Sequence, residues 1–238
     1  MSSNLFDGFP TAGIDFLAGL ADNNSKDYFD ANRKIYDSAL IGPAKAFVEM
    51  MGEALRQRTG RDGVRAEPRV NGSIFRLNRD VRFSKDKTPY KDHLDFIFWE
   101  GEGKGRTCPS FYLRLTPTET VLGTGMIGFD KKKLPTFREV VADDDRGAAL
   151  ETAIAEARAN AEAYGDVELR GTHYQKVPRG YAADHPRAAL LKHAGVHLQY
   201  RDKTPPDVQD TVGFVDWCGA RWQALDPLQH WLITHFDF

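Results

Sequence analysis

The stretch IFRLNRDVRFSKDKTPYKDH, residues 74–93, holds most of the side chains that could do chemistry. It carries six bases (Arg76, Arg79, Arg82, Lys85, Lys87, Lys91) against three acids (Asp80, Asp86, Asp92), in a chain whose formal net charge is −2. Guanidinium groups suit planar, two-point recognition of phosphate or carboxylate, and ammonium groups add compact positive charge. Phe75, Phe83 and Tyr90 are threaded among them. A pocket for a phosphorylated or otherwise anionic small molecule would take its charge from Arg76, Arg79, Arg82, Lys85, Lys87 and Lys91. Tyr90 would orient the ligand by a hydrogen bond or by stacking. If a reaction follows, Asp80, Asp86 and His93 are the available proton carriers. No activated nucleophile is evident, and the sequence decides neither for nor against catalysis.

Two other readings stay open for the same residues. The patch could dock an acidic protein or single-stranded nucleic acid. Alternatively, the aspartates could pair with the arginines and brace an irregular segment that takes no ligand. A pocket needs charges converging on a concavity with aromatic walls, whereas a docking patch needs them spread on an open surface. Because the positive charge is local and the rest of the chain is acidic, an extended nucleic-acid duplex is a poor match. A second loop, HYQKVPRGYAADHP at residues 173–186, offers Arg179 and Tyr181 as further ligand-binding candidates. In it Asp184 is expected to cap a short helix near Arg187–His193, with Pro186 at its first position.

Weaker motifs fail on context. Ser84-Lys85-Asp86-Lys87 matches SxxK, but it lies in a Pro-broken stretch and no KTG accompanies it. The run from Gly123 to Gly128 matches GxGxxG, yet it ends an antiparallel hairpin rather than opening a βαβ unit, and glycines there mark a bulge or a close backbone approach. His193/His197 and His230/His235 have poor spacing for a metal site. His93/Asp95 is the one pair worth testing, and two ligands are too few, so no metal is assigned. The sequence leaves the cofactor unknown.

Hydropathy places these residues on a frame. Pro10–Asp22, the stretch after Asn23-Asn24 and Gly42–Arg58 have helical periodicity. Asn24 is expected to cap the second of these helices, and Gly60 to stop the third. Tyr28, Asn32 and Tyr36 share one helical face. The period then changes. Leu94–Glu100, Ser110–Thr116 and Thr120–Ile127 read as an antiparallel meander with a turn at Pro117-Thr118, and Phe96, Phe98 and Trp99 as core. Phe75, Leu77, Val81 and Phe83 alternate with Arg76, Asn78, Asp80 and Arg82, which predicts a further strand stopped before Pro89. Helical patterns return at Leu134–Val141, from the Asp143-Asp144-Asp145 cap to about Ala163, at Val208–Trp222 and at Pro227–His235. Val196–Arg201 is a last strand candidate, broken by Pro205-Pro206. The expected fold is α+β: an antiparallel β-sheet, a meander in the central third, packed by N- and C-terminal α-helices. It forms one domain over 1–238, helical at about 10–60, sheet at about 72–128 and helical again at about 131–238.

The length of 238 residues, 41% hydrophobic and 28% charged, fits a globular chain with a substantial core. No apolar run reaches the roughly 20 residues of a membrane helix. Two isolated cysteines, Cys108 and Cys218, and the absence of a secretory pattern suit the cytoplasm. Oligomeric state and pathway are not encoded legibly.

Three phrases, NNSKDYFDANRKIY (Asn23–Tyr36), IFRLNRDVRFSKDKTPYK (Ile74–Lys91) and VPRGYAADHP…LLK (Val177–Lys192), occur in this order in a widespread bacterial and fungal family. The chain resembles that family, catalogued only as a conserved domain of unknown function, over nearly its whole length. RDxRFSKDKTPYK is the specific signature. The resemblance implies a single domain and marks 74–93 as characteristic, but it carries over no activity and no catalytic residue.

Overall fold

A computed structural model describes residues 5–172, 174–202 and 207–238. His173 and Pro205-Pro206, which figure in the sequence expectations, lie outside the described residues. The fold is α+β. Helices α1 (Thr11–Asp22), α2 (Lys26–Ala31), α3 (Arg33–Ile35) and α4 (Gly42–Thr59) precede β1 (Val64–Arg65), β2 (Leu94–Glu100), β3 (Ser110–Leu115) and β4 (Thr120–Met126). Then come α5 (Lys133–Ala142), α6 (Asp144–Ala161), β5 (Val167–Thr172), α7 (Ala188–Leu191), β6 (His193–Asp202) and α8 (Gly213–His235). The six strands form an antiparallel sheet in the order β1-β2-β3-β4-β6-β5. None of the described helices is long and apolar enough to cross a membrane.

Internal contacts gather the chain into two compact units. The first comprises Met1–Phe98, Tyr112–Leu122 and Arg201–Ala220, and the second Trp99–Phe111, Gly123–Tyr200 and Arg221–Phe238. The core of the first unit is aromatic. Phe47 of α4 packs edge-on to Phe96 of β2 at 5.2 Å between ring centroids, and Phe9 and Phe214 join it at 5.6 and 5.7 Å. Such edge-to-face pairs add to simple area burial. In the second unit α5 and α6 bury Phe137, Val141, Leu150 and Ile154 with Val196 and Leu198 of β6. There α8 is tied to the sheet by polar contacts in an otherwise apolar core. Gln229 Nε2 donates to Glu100 Oε2 at 3.0 Å, the Thr124 hydroxyl lies 2.9 Å from Gln229 Oε1, and Trp222 Nε1 donates to the Gly123 carbonyl at 3.1 Å. Buried polar groups satisfied in this way fix one arrangement of helix on sheet.

Several expectations hold. Phe96, Phe98 and Trp99 are buried, Gly60 ends α4 in the left-handed conformation, and the Asp143 side chain caps α6 by accepting from the Arg146 amide. Other expectations are corrected. Ser25, not Asn24, caps α2, because Asn24 is engaged elsewhere. The turn before α7 has Arg187 at its N-cap without a side-chain cap, so Asp184 stands exposed in the loop. The two expected C-terminal helices are one, α8, which runs through Pro227. Leu225, Leu228, Trp231 and Leu232 are all buried along it, and that packing outweighs the local cost of proline. β5 was not anticipated, and the sheet accordingly extends beyond 72–128. No regular strand forms over 75–83, where the backbone makes only isolated bridges.

Gly125, inside GxGxxG, has φ +126°, and a Cβ there would lie 2.4 Å from the Val196 carbonyl oxygen of β6. The motif therefore serves close backbone approach. Gly60 has φ +67° with open space around it. Gly125→Ala should cost about 3 kcal/mol or more, from backbone strain and the collision together, and Gly60→Ala only about 1 kcal/mol. Urea denaturation of the two variants should separate them in that order.

Candidate anion-binding loop

Residues 73–79 run out from the sheet, 80–88 turn, and 89–93 return to β2. Ile74 and Leu77 anchor the outgoing leg, each essentially fully buried. The legs are joined by Phe75 N to the Asp95 carbonyl (2.9 Å), Ile97 N to Ser73 O (2.9 Å), Lys91 N to Leu77 O (2.9 Å) and Arg79 N to Pro89 O (2.8 Å). Proline cannot continue a regular ladder, and only its carbonyl is used here. The alternation that predicted a strand therefore does not set the faces. Leu77 is buried, but Phe83 is 95% exposed.

The tip is braced from within. Asp80 accepts from Arg82 Nε and Nη2 at 2.9 and 2.7 Å, a two-point pair. Asp86 Oδ1 accepts from the Thr88 amide at 2.9 Å and the Thr88 hydroxyl at 2.8 Å, and the Arg79 guanidinium bonds both Asp86 and Thr88. Lys87 Nζ donates to the Val81 carbonyl at 2.9 Å. The Asp80 carboxyl is lowered to about 2 by its bonds from Arg82, and Asp86 to about 2 by the Thr88 amide and then Arg79. Both are ionised far below neutrality, the opposite direction from what a general acid or base near pH 7 needs. Arg76, Arg82, Lys85 and Lys87 are exposed, as is Phe83, and the Arg82 guanidinium lies 5.9 Å from the Phe83 ring centroid. Among the described residues Arg76 and Lys85 form no ion pair within 4 Å.

Tyr90 belongs to the packing. It is 7% exposed, its ring stacks on Phe29 at 4.5 Å and 9°, and the Asn24 side chain grips its backbone, donating to O (3.0 Å) and accepting from N (2.9 Å). Burial, ahead of the nearby Asp30 charge, pushes its hydroxyl pKa up. The tyrosine ring thus faces Phe29 rather than the loop's outer surface. Arg179 is exposed on the second unit, and Tyr181 packs against that unit's core.

The root of the loop holds a second cluster. Asp95 of β2, 16% exposed at its side chain, receives Arg114 Nε at 2.7 Å and Lys91 Nζ at 3.1 Å, with His93 Nε2 at 3.5 Å. The other ring nitrogen of His93 lies 2.8 Å from Asp92, and the Lys91 ammonium sits 5.3 Å from the Phe75 ring centroid. His93 and Asp95 face each other instead of a shared ligand position. Among the described residues no group of three or more His, Cys, Asp or Glu side chains is arranged to hold a metal. Arg114 was missed by sequence reasoning, although strand alternation puts it outward, opposite Leu113 and Leu115.

Burial works to raise the Asp95 pKa, and the bonds from His93 and Arg114 overcome it and hold the carboxyl well below the ordinary range. A depressed folded-state pKa stabilises above the unfolded value near 4 and is lost as pH falls toward the folded value. Stability should therefore decline below about pH 4 in the wild type. Asp95→Asn should flatten that acid limb and cost about 1–3 kcal/mol at pH 7, because Lys91 and Arg114 lose their counter-charge. Asp80→Asn, on the exposed tip, should leave the acid limb in place. Urea titrations across pH check all three.

A search of curated proteins finds no match. The model of the DUF2461 family, described as conserved hypothetical protein, matches residues 12–231 and so includes the whole loop and both clusters. The chain belongs to the DUF2461 family of conserved hypothetical proteins.

Proposed function

We propose that this protein is a recognition module that docks an acidic protein segment on the tip of the 74–93 loop. The observation that carries this reading is Phe83, 95% exposed on a braced loop, with the Arg82 guanidinium 5.9 Å from its ring centroid and with Arg76, Lys85 and Lys87 of the same segment also exposed. Aromatic and arginine side chains contribute disproportionately at protein interfaces. A loop already ordered by Asp80–Arg82 and Arg79–Asp86–Thr88 loses little further entropy on binding. The ion pairs at the tip are exposed, so water screens them and an incoming carboxylate can exchange with Asp80 at small net cost. Single-stranded nucleic acid fits less well, because stacking readers present several aromatics in succession and Phe83 is the one strongly exposed ring of this segment.

A second reading, the small anionic ligand, draws support from the loop's root. Lys91 and Arg114 supply two full cations to the one carboxylate of Asp95, Phe75 offers an apolar wall, and Arg114 keeps 46% of its side chain exposed. A phosphate or carboxylate could approach that outer side. The two readings separate by position: the tip serves a macromolecule and the root a small anion.

Fluorescence anisotropy with a labelled Glu/Asp-rich peptide bearing one tyrosine, alongside thermal shifts with pyrophosphate and anisotropy with oligo-dT, tests both. The peptide should bind in low salt and weaken as salt rises, and Phe83→Ala should weaken it by about tenfold, near 1.4 kcal/mol, without changing the melting temperature. Equal affinity in Phe83→Ala, or binding of oligo-dT alone, overturns docking. Stabilisation by pyrophosphate that vanishes in Arg114→Ala transfers the function to the root.

A further inference from the structure

We infer that two copies of this chain pair antiparallel along β5, with Leu169 on the two-fold axis. β5 ends the sheet. Its inner side is bonded to β6 in a register that matches Val167 with Tyr200 and Arg170 with His197. Outside that ladder, no backbone hydrogen bond between main-chain groups reaches residues 167–171 among the described residues. A groove of about 500 Å³ follows this strand, lined by Arg158 and residues 167–171. A sheet edge with unused main-chain donors and acceptors is a template for another strand.

The identity of the added strand follows from charge. Val167 and Leu169 pack toward the core of the second unit, while Glu168 and Arg170 are exposed. They already reach each other along the strand at 2.6 Å. Antiparallel pairing centred on Leu169 sets Glu168 opposite Arg170 of the second copy, and by symmetry does so twice. Directly opposed unlike charges favour a register and like charges oppose it. Moving the axis to Glu168 or to Arg170 would place two identical charges face to face, so the strand specifies one self-complementary register. The pairing must be short, because the ladder slips register between Arg170 and Thr172. That irregularity, together with closed two-fold symmetry, limits association to a dimer.

Sedimentation velocity of the full chain from micromolar to millimolar concentration tests this. The wild type should show a concentration-dependent monomer–dimer equilibrium. Arg170→Glu and Glu168→Arg should each weaken it by about tenfold or more while the circular dichroism spectrum is unchanged, since both side chains are exposed. An equimolar mixture of the two variants should restore the dimer, because opposite charges again face across the axis. The inference is overturned by a wild type that stays monomeric throughout. Dimers that persist in both variants, or a mixture that fails to recover, would also overturn it. A monomeric chain that instead binds an added extended peptide along β5 would assign the edge to a foreign strand.

Discussion

Asp95 is the contact on which the loop depends. A carboxylate this far out of water would be costly if left alone, and it is tolerated because Arg114, Lys91 and His93 surround it. Those partners come from different places. Arg114 projects from β3, while Lys91 and His93 belong to the leg returning to β2. The Asp95 carbonyl also receives the Phe75 amide of the outgoing leg. One residue thus ties both legs of the loop to the sheet, through its side chain and its backbone. The brace at the tip matters only once this root is in place, since it closes a loop whose ends are already held.

From root to tip the same kinds of charge do different work. At the root, partial burial strengthens each pair and makes it hard to exchange. At the tip, water screens Asp80–Arg82 and Arg79–Asp86, so these pairs shape the loop without locking its charge away. A basic segment that is uniform along the sequence divides into a partly buried root and an exposed tip. Counting cations could not reveal this, because the division depends on how much water each pair keeps.

The elements legible in the sequence were those whose pattern is local. The apolar faces of α1, α4 and α6 and the runs of β2, β3 and β4 repeat at their own period and need no distant partner to be recognised. The loop misled for a physical reason: Phe75 to Arg82 alternate as a strand does, but the aspartates close on arginines two and seven residues away, which demands bends rather than extension. β5 escaped notice because Val167–Arg170 is a short alternation that becomes a strand only beside β6, more than twenty residues later. Arg114 escaped because its meaning lies in Asp95, across a ladder. Pro227 does not end α8, since the rule that proline ends helices is local and the burial of α8 is not.

The signature phrase RDxRFSKDKTPYK can be taken apart on the same terms. Arg79, Asp86 and Thr88 clamp the tip. Asp80 and Arg82 hold its shoulder, Lys87 secures the Val81 carbonyl, Pro89 and Tyr90 return the chain to the core, and Lys91 joins the root. Phe83 and Lys85 are left outside this mutual support. The Phe83 ring stands in water with the Arg82 guanidinium 5.9 Å from its centroid. Leu5, Ile127 and Val212 are also exposed, but none approaches 95%. The members of the loop immobilise one another and leave that ring uncovered, and it is on this contrast between a held frame and a free ring that the docking proposal rests.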